Sequence, residues 1–174
     1  MRHQGNEGLF HDRTKDGRAM KSESREDRGL QVEQFRKVCR ENGIKVTPQR
    51  LEVFLEILGA TDHPSAEEVF KRVRRKLPMI SLDTVYRTLT TLDELGLIAT
   101  LRSLEERSRF DPNTREHYHV VCTGCKRVMD IFWPEIDALS MPAQIEDWGK
   151  VETKHVLLKG TCSTCLLKNE SEAD

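Results

Sequence analysis

Two cysteine pairs, Cys122-Thr-Gly-Cys125 and Cys162-Ser-Thr-Cys165, constrain the fold of this chain more than any other feature. Each C-x-x-C pair can present two sulfurs from one tight turn, and two such turns supply the four thiolates of a tetrahedral zinc site. The 36 residues between the pairs exceed the spacing of a simple zinc ribbon, so a strand and a helix are predicted between the turns. Two other chemistries use the same residues. A thioredoxin-like redox pair needs its C-x-x-C to open a helix, and a disulfide framework needs an oxidising compartment. The first 29 residues lack the apolar core of a signal peptide, and no apolar run reaches membrane-spanning length. The expected location is therefore the reducing cytoplasm, which disfavours disulfides. Zinc held by four thiolates has no open position, so its expected role is folding energy, on the order of 10 kcal/mol, rather than catalysis.

Upstream of these pairs the pattern is helical. Residues 1–29 mix both charges with Gly and Ser and hold almost no aliphatic side chains, so they read as a flexible tail, with an operator-contacting arm as the alternative. From Leu30 a first helix carries Val32, Phe35 and Cys39 on one face and ends near Asn42-Gly43. Cys39 is accounted for by that buried face. Thr47-Pro48 announces a second helix that buries Leu51, Phe54, Leu55 and Leu58. Ser65-Ala66-Glu67-Glu68 is a capping box for a third helix, with Ala66, Val69, Phe70, Val73 and Leu77 on one stripe and Pro78 as its stop. A fourth runs from Ser81 to Gly96 on Leu82, Val85, Leu89, Leu92 and Leu95. Its polar face presents Thr84, Tyr86, Arg87, Thr90 and Thr91, which can reach phosphates and base edges; a solvated helix face fits the same residues. Leu97 to Leu101, a tip at Glu105-Glu106, and Ser108 to Asp111 read as a β-hairpin. Helices followed by such a hairpin describe a winged helix-turn-helix, with a generic helical bundle as the competitor. The net charge of −1 points to no nucleic-acid partner by itself.

His117-Tyr118-His119 precedes the first cysteine pair in a strand-like run, and the strand period of two points both imidazoles to one side. Asp111 lies upstream and Asp130 sits in the next strand-like run, Val128 to Ile131. Mixed imidazole and carboxylate donors suit iron(II), manganese(II) or zinc. Taken one at a time, each of these residues is also an ordinary surface group.

The string His63-Pro64-Ser65-Ala66-Glu67-Glu68-Val69-Phe70, then Asp83-Thr84-Val85-Tyr86-Arg87-Thr88-Leu89, Ser108-Arg109-Phe110-Asp111, His117-Tyr118-His119 and both cysteine pairs together resemble the ferric uptake regulator family over about residues 31–167. The resemblance implies an α+β chain: a winged helix-turn-helix domain over 30–107, then a small α/β dimerisation domain over 108–167 with a four-cysteine zinc site, and a tail over 168–174. It implies a homodimer acting on double-stranded DNA at an AT-rich inverted repeat, with no membrane partner and no substrate beyond metal ions and hydrogen peroxide. It assigns Cys122, Cys125, Cys162 and Cys165 to structural zinc, and His63, Asp111, His117, His119 and Asp130 to a regulatory iron(II) or manganese(II) site. His63 precedes the third helix while His117, His119 and Asp130 belong to the later domain, so one ion would clamp the two domains.

Asp130 stands where iron-sensing members more often carry glutamate, and aspartate there resembles the peroxide-stress repressors, in which iron-driven oxidation falls on a ligand histidine, here His63 or His117. The alternative is an iron-responsive repressor without peroxide sensing. Glu116 and Tyr118 depart from the pattern of members with a second metal site, and His155 falls one position from the family's late histidine, which argues against a complete second site; Asp137 is left as a donor to a weak one. Two further readings compete. An iron-dependent oxygenase would use His117, His119 and a carboxylate as a facial triad, and a zinc-ribbon adaptor would leave His63, Asp111 and Asp130 without a role.

Overall fold

The computed structural model describes residues 25–101, 108–115, 117–151 and 156–171, and the chain forms two compact units. The first comprises Met1–Ala60 with Pro64–Thr114, and the second Thr61–His63 with Arg115–Asp174.

In the first unit, α1 (Arg25–Glu41) starts inside the segment expected to be a tail. Charged residues tolerate helix, although hydrophobic patterning cannot register them. Phe35 and Cys39 are fully buried on its inner face. Gly43, at φ +68°, lets the chain reverse so that the Ile44 N–H bonds to the Cys39 carbonyl at 2.8 Å. In α2 (Pro48–Leu58) the Thr47 hydroxyl accepts from the Arg50 N–H, and Val53, Phe54, Ile57 and Leu58 are buried. The expected Leu51 and Leu55 are only partly covered, because α3 and α4 both pack on α2 and turn its 53/57 side inward.

The capping box of α3 (Ala66–Val73) forms as read: the Ser65 hydroxyl accepts from the Glu68 N–H, and the Glu68 carboxylate accepts from the Ser65 N–H at 2.7 Å. This helix stops at Val73 rather than continuing to Pro78. The Lys76 and Leu77 N–H groups both bond to the Val73 carbonyl, closing a final turn ahead of the proline, whose ring disfavours helix at Leu77. Ser81 caps α4 (Leu82–Glu94), which buries Val85, Leu89 and Leu92, and Gly96 at φ +66° ends it. Thr88 is buried among them because its hydroxyl donates to the Thr84 carbonyl at 2.7 Å.

β1 (Ala99–Leu101) and β2 (Arg109–Asp111) pair antiparallel, Ala99 opposite Asp111. The expected tip at Glu105-Glu106 lies outside the described residues. Because β2 is hydrogen-bonded to β1, the first unit extends to Thr114 instead of ending at 107. Phe35 stacks on Phe54 at 4.8 Å within a core that includes Ile57, Val69, Val85 and Leu89. Leu89→Ala should therefore cost about 2–5 kcal/mol in urea unfolding of this winged helix-turn-helix unit.

The second unit is built on a three-stranded sheet ordered β4-β3-β5. β3 (Tyr118–Cys122) pairs antiparallel with β4 (Val128–Ile131) and parallel with β5 (Leu157–Gly160). The crossover between β4 and β5 carries α5 (Pro134–Asp137) and α6 (Gln144–Trp148). α7 (Ser163–Ser171) follows, so helix runs into the segment expected as a tail from 168. Among the described residues no helix is long and apolar enough to cross a membrane.

Candidate functional site

Among the described residues, the second unit brings together two clusters of side chains able to ligate a metal. In the first, the turn after β3 carries Cys122 and Cys125, and Cys162 and Cys165 flank the start of α7. The Thr123 N–H donates to the Gly160 carbonyl at 2.7 Å and ties one turn to the end of β5. All four cysteines are thiols, and their sulfurs lie within 4.8 Å of one another. Cys125 Sγ and Cys162 Sγ are 3.7 Å apart. A zinc–sulfur bond of about 2.3 Å requires tetrahedral sulfur–sulfur edges of about 3.8 Å, so the spacing fits an ion rather than a disulfide. The second pair does open a helix, as a redox pair would, but its sulfurs converge with those of the first.

Backbone N–H groups of Cys162 and Cys125 hold the Cys122 thiol down at about 6, whereas hydrogen bonding to the Cys162 and Cys125 sulfurs pushes Cys165 up to about 12. Sulfurs this crowded ionise together only beside a positive charge, and a dication supplies it. Gly124 is part of the cradle: a Cβ there would stand 3.1 Å from Cys165 Sγ and 3.4 Å from its Cβ. Gly124→Ala should displace Cys165 and speed zinc loss to a chelator, measured with a chromogenic zinc indicator.

The second cluster contains His63, His117, His119 and Asp130. His119 faces Asp130 across the β3–β4 ladder. The Nε2 atoms of His63, His117 and His119 lie 2.7, 3.5 and 3.5 Å from Asp130 Oδ1. The three imidazoles are 5%, 3% and 11% exposed, and Asp130 is 32% exposed. His117 Nδ1 lies 2.7 Å from the Arg115 carbonyl oxygen, which can only accept. Nδ1 therefore carries the proton, and Nε2 turns its lone pair toward the cluster. The His117 and His119 rings are 4.4 Å apart, close enough for both to present a nitrogen to one ion. Three imidazoles and a carboxylate make the donor set a fit for one borderline or hard divalent cation. His63 adopts φ +47°, the left-handed region, immediately before Pro64. A non-glycine residue held there costs on the order of 1–3 kcal/mol, which the surrounding structure must offset.

Asp111 ends β2 in the first unit, where it is 1% exposed and accepts from the Asn113 N–H at 2.7 Å. Of the expected DNA-facing residues, Tyr86, Arg87 and Thr90 are exposed on α4. Tyr86 donates its hydroxyl to Glu67 on α3 at 3.0 Å, and Arg87 pairs with Asp83 at 2.9 Å. Thr84 is half-buried, its hydroxyl 2.8 Å from that of the N-cap Ser81, so it is bound up with starting the helix. The Thr91 hydroxyl is also engaged, with the Arg87 carbonyl at 2.9 Å. Glu116, His155 and the side chain of Asp137 lie outside the described residues.

Sequence reasoning missed Gly124, the Arg115 carbonyl and Phe132, whose ring stacks on His117 at 5.9 Å between centroids. The last was within reach, since the strand period places Phe132 on the same side as Asp130.

Residues 41–159 match the family model of the ferric uptake regulator family. The peroxide operon regulator of Bacillus subtilis is 32% identical over 129 residues, 74% of this chain and 89% of that protein. The peroxide-responsive repressor PerR of Staphylococcus epidermidis is 31% identical over 126 residues, 72% of this chain and 84% of that protein. Among solved structures, the ferric uptake regulator Fur of Helicobacter pylori, described as having three functional metal-binding sites, superposes with a TM-score of 0.68 at 25% identity. It covers 79% of this chain and 93% of that one.

Proposed function

The chain belongs to the ferric uptake regulator family, and from that membership we propose that it is a metal-dependent DNA-binding repressor whose signal is hydrogen peroxide. The observation that carries this reading is the convergence of His63, His117 and His119 on Asp130. In this reading zinc sits among Cys122, Cys125, Cys162 and Cys165, and iron(II) or manganese(II) is held by His63, His117, His119 and Asp130; the family pattern adds Asp111. The protein works in the cytoplasm as a homodimer and carries out no catalytic turnover. The second unit's exposed Met129, Trp133, Leu139, Trp148, Leu157 and Leu167 supply apolar surface for the dimer contact.

The gating device is a short piece of chain. Thr61–His63 groups with the second unit, although the residues on both sides of it, which lead to α2 and α3, belong to the first. An ion that pins His63 restrains that connection, and in a dimer it sets the separation of the two α4 helices that enter successive major grooves of an AT-rich inverted repeat. Moving such an equilibrium from 1:99 to 99:1 takes roughly 5.5 kcal/mol of differential affinity, within reach of one multidentate ion.

Iron(II) held there would lend an electron to hydrogen peroxide and regain it as the imidazole is oxidised, so both oxidising equivalents of the peroxide would be spent on the ring. The consequence falls on this chain: one peroxide oxygen replaces a ring-carbon hydrogen of His63 or His117, the other leaves as water, and the altered imidazole is a poorer ligand. Asp130 and the two peroxide-responsive relatives favour this over plain iron sensing. The test is operator binding under chelator, manganese(II) and iron(II), each with and without peroxide, followed by peptide mass analysis. One oxygen added to the His63 or His117 peptide only with iron supports peroxide sensing. Reversible iron dependence without modification favours an iron-responsive repressor, and sustained peroxide-dependent turnover of an added organic substrate favours an oxygenase.

In this reading the near-neutral charge leaves operator affinity to placed contacts. Arg87→Ala should weaken operator binding by about 1–3 kcal/mol in an anisotropy titration. An unchanged affinity and salt slope would remove α4 from the groove.

A further inference from the structure

We propose that Phe132 is a positioning residue for His117, holding its imidazole in the one plane from which Nε2 points at the other donors. Phe132 follows β4 directly and is half exposed, and its ring lies 26° from parallel to that of His117. His117, although it precedes β3 rather than lying within it, keeps a side chain only 3% exposed. The hydrogen bond from Nδ1 to the Arg115 carbonyl fixes one atom of the imidazole, and the ring can still swing about that point. Two ring contacts remove this freedom: the edge-to-face approach of His119 at 4.4 Å and 63°, and the stacked phenyl of Phe132. A half-exposed aromatic side chain gains little from burial at this place, so its stack on a candidate ligand is the contact that explains it.

The consequence for metal binding rests on the ligand set proposed above; the consequence for His117 itself does not, and the test separates them. The probes are nitrogen-15 and proton NMR of the histidine rings in the metal-free full-length chain, and manganese(II) titration of the same samples, for the wild type, Phe132→Ala, Phe132→Leu and Phe132→Tyr. In the wild type the His117 ring protons should show the upfield displacement of a stacked neighbour, and its nitrogens a single Nδ1–H tautomer. Phe132→Ala should lose the displacement, mix the tautomers and weaken manganese binding roughly three- to tenfold, the worth of one aromatic pair. Phe132→Tyr should restore all three. Phe132→Leu keeps apolar bulk without a ring plane and should behave as alanine does, and it decides the matter if the alanine variant does not fold. A wild type without the displacement, or ringless variants with wild-type tautomer and manganese affinity, would overturn the proposal. If manganese binds no sample, the ligand-set reading fails, while the tautomer comparison still decides the role of Phe132.

Discussion

Cys165→Ser is expected to leave the second unit unfolded while the first keeps its structure. The two units differ in what holds them. The first has a core of fully buried side chains, among them Phe35, Ile57, Val69, Val73, Leu89 and Leu92. The buried apolar residues described in the second are few, Tyr118, Val121, Cys122 and Val128, while Trp148 and Leu167 are largely exposed. So little burial does not offset the entropy of ordering about 1–2 kcal/mol per residue. Four thiolates around zinc supply the difference, on the order of 10 kcal/mol, and three sulfurs with a hydroxyl in place of the fourth forfeit most of it. Hydrogen exchange read by mass spectrometry should show amides of 117–151 losing protection and those of 48–95 retaining it, and a strong chelator should reproduce the pattern in the wild type. A variant with undiminished protection in the second unit would show that the cysteines are not structural ligands.

His119→Ala is expected to abolish metal-dependent operator binding without unfolding the chain. His119 is held on β3 by its ladder to Asp130 and Leu157, and those backbone bonds survive the substitution. What is lost is one of three imidazole nitrogens around Asp130, together with the ring that braces His117. Coupling between an effector and its linked site lies at about 1–3 kcal/mol, 5- to 150-fold, so affinity with manganese(II) should fall by that factor to the metal-free level. Circular dichroism should stay native, and the four-cysteine zinc should remain bound. A variant whose operator affinity still rises on adding metal would remove His119 from the regulatory site, and a wild type whose operator affinity does not respond to metal at all would favour the zinc-ribbon adaptor.

Much of this arrangement was legible in the chain because local chemistry wrote it. Ser65 with Glu68, Thr47 with Pro48 and Ser81 satisfy N-terminal amides within one turn, and each marks a helix start that the structure reproduces. Both C-x-x-C pairs and the spacing of His117 and His119 likewise depend on neighbours in sequence. The less legible features depend on partners far along the chain. Leu51 and Val53 are equally apolar, and only the packing of α3 and α4 on α2 decides which is buried. Arg25 opens a helix because charged residues tolerate helix well, although hydrophobic patterning cannot register them. Gly124 is required by Cys165, forty-one positions later, and no reading of Gly124 and its neighbours reveals that sulfur. The strand period puts Phe132 on the Asp130 side, but only the fold brings its ring against His117, fifteen positions earlier.

The central claim is that an ion held by His63 and its partners in the second unit switches the affinity of the winged-helix unit for DNA. It is tested most directly by titrating manganese(II) into chelated, zinc-loaded full-length protein while following anisotropy of a labelled inverted-repeat duplex, with sedimentation of the same samples to fix the oligomeric state. The account predicts a dimer throughout and an operator affinity that rises by about two orders of magnitude with one manganese ion per chain. A metal-free dimer that grips the duplex as tightly as the manganese-loaded one would contradict it.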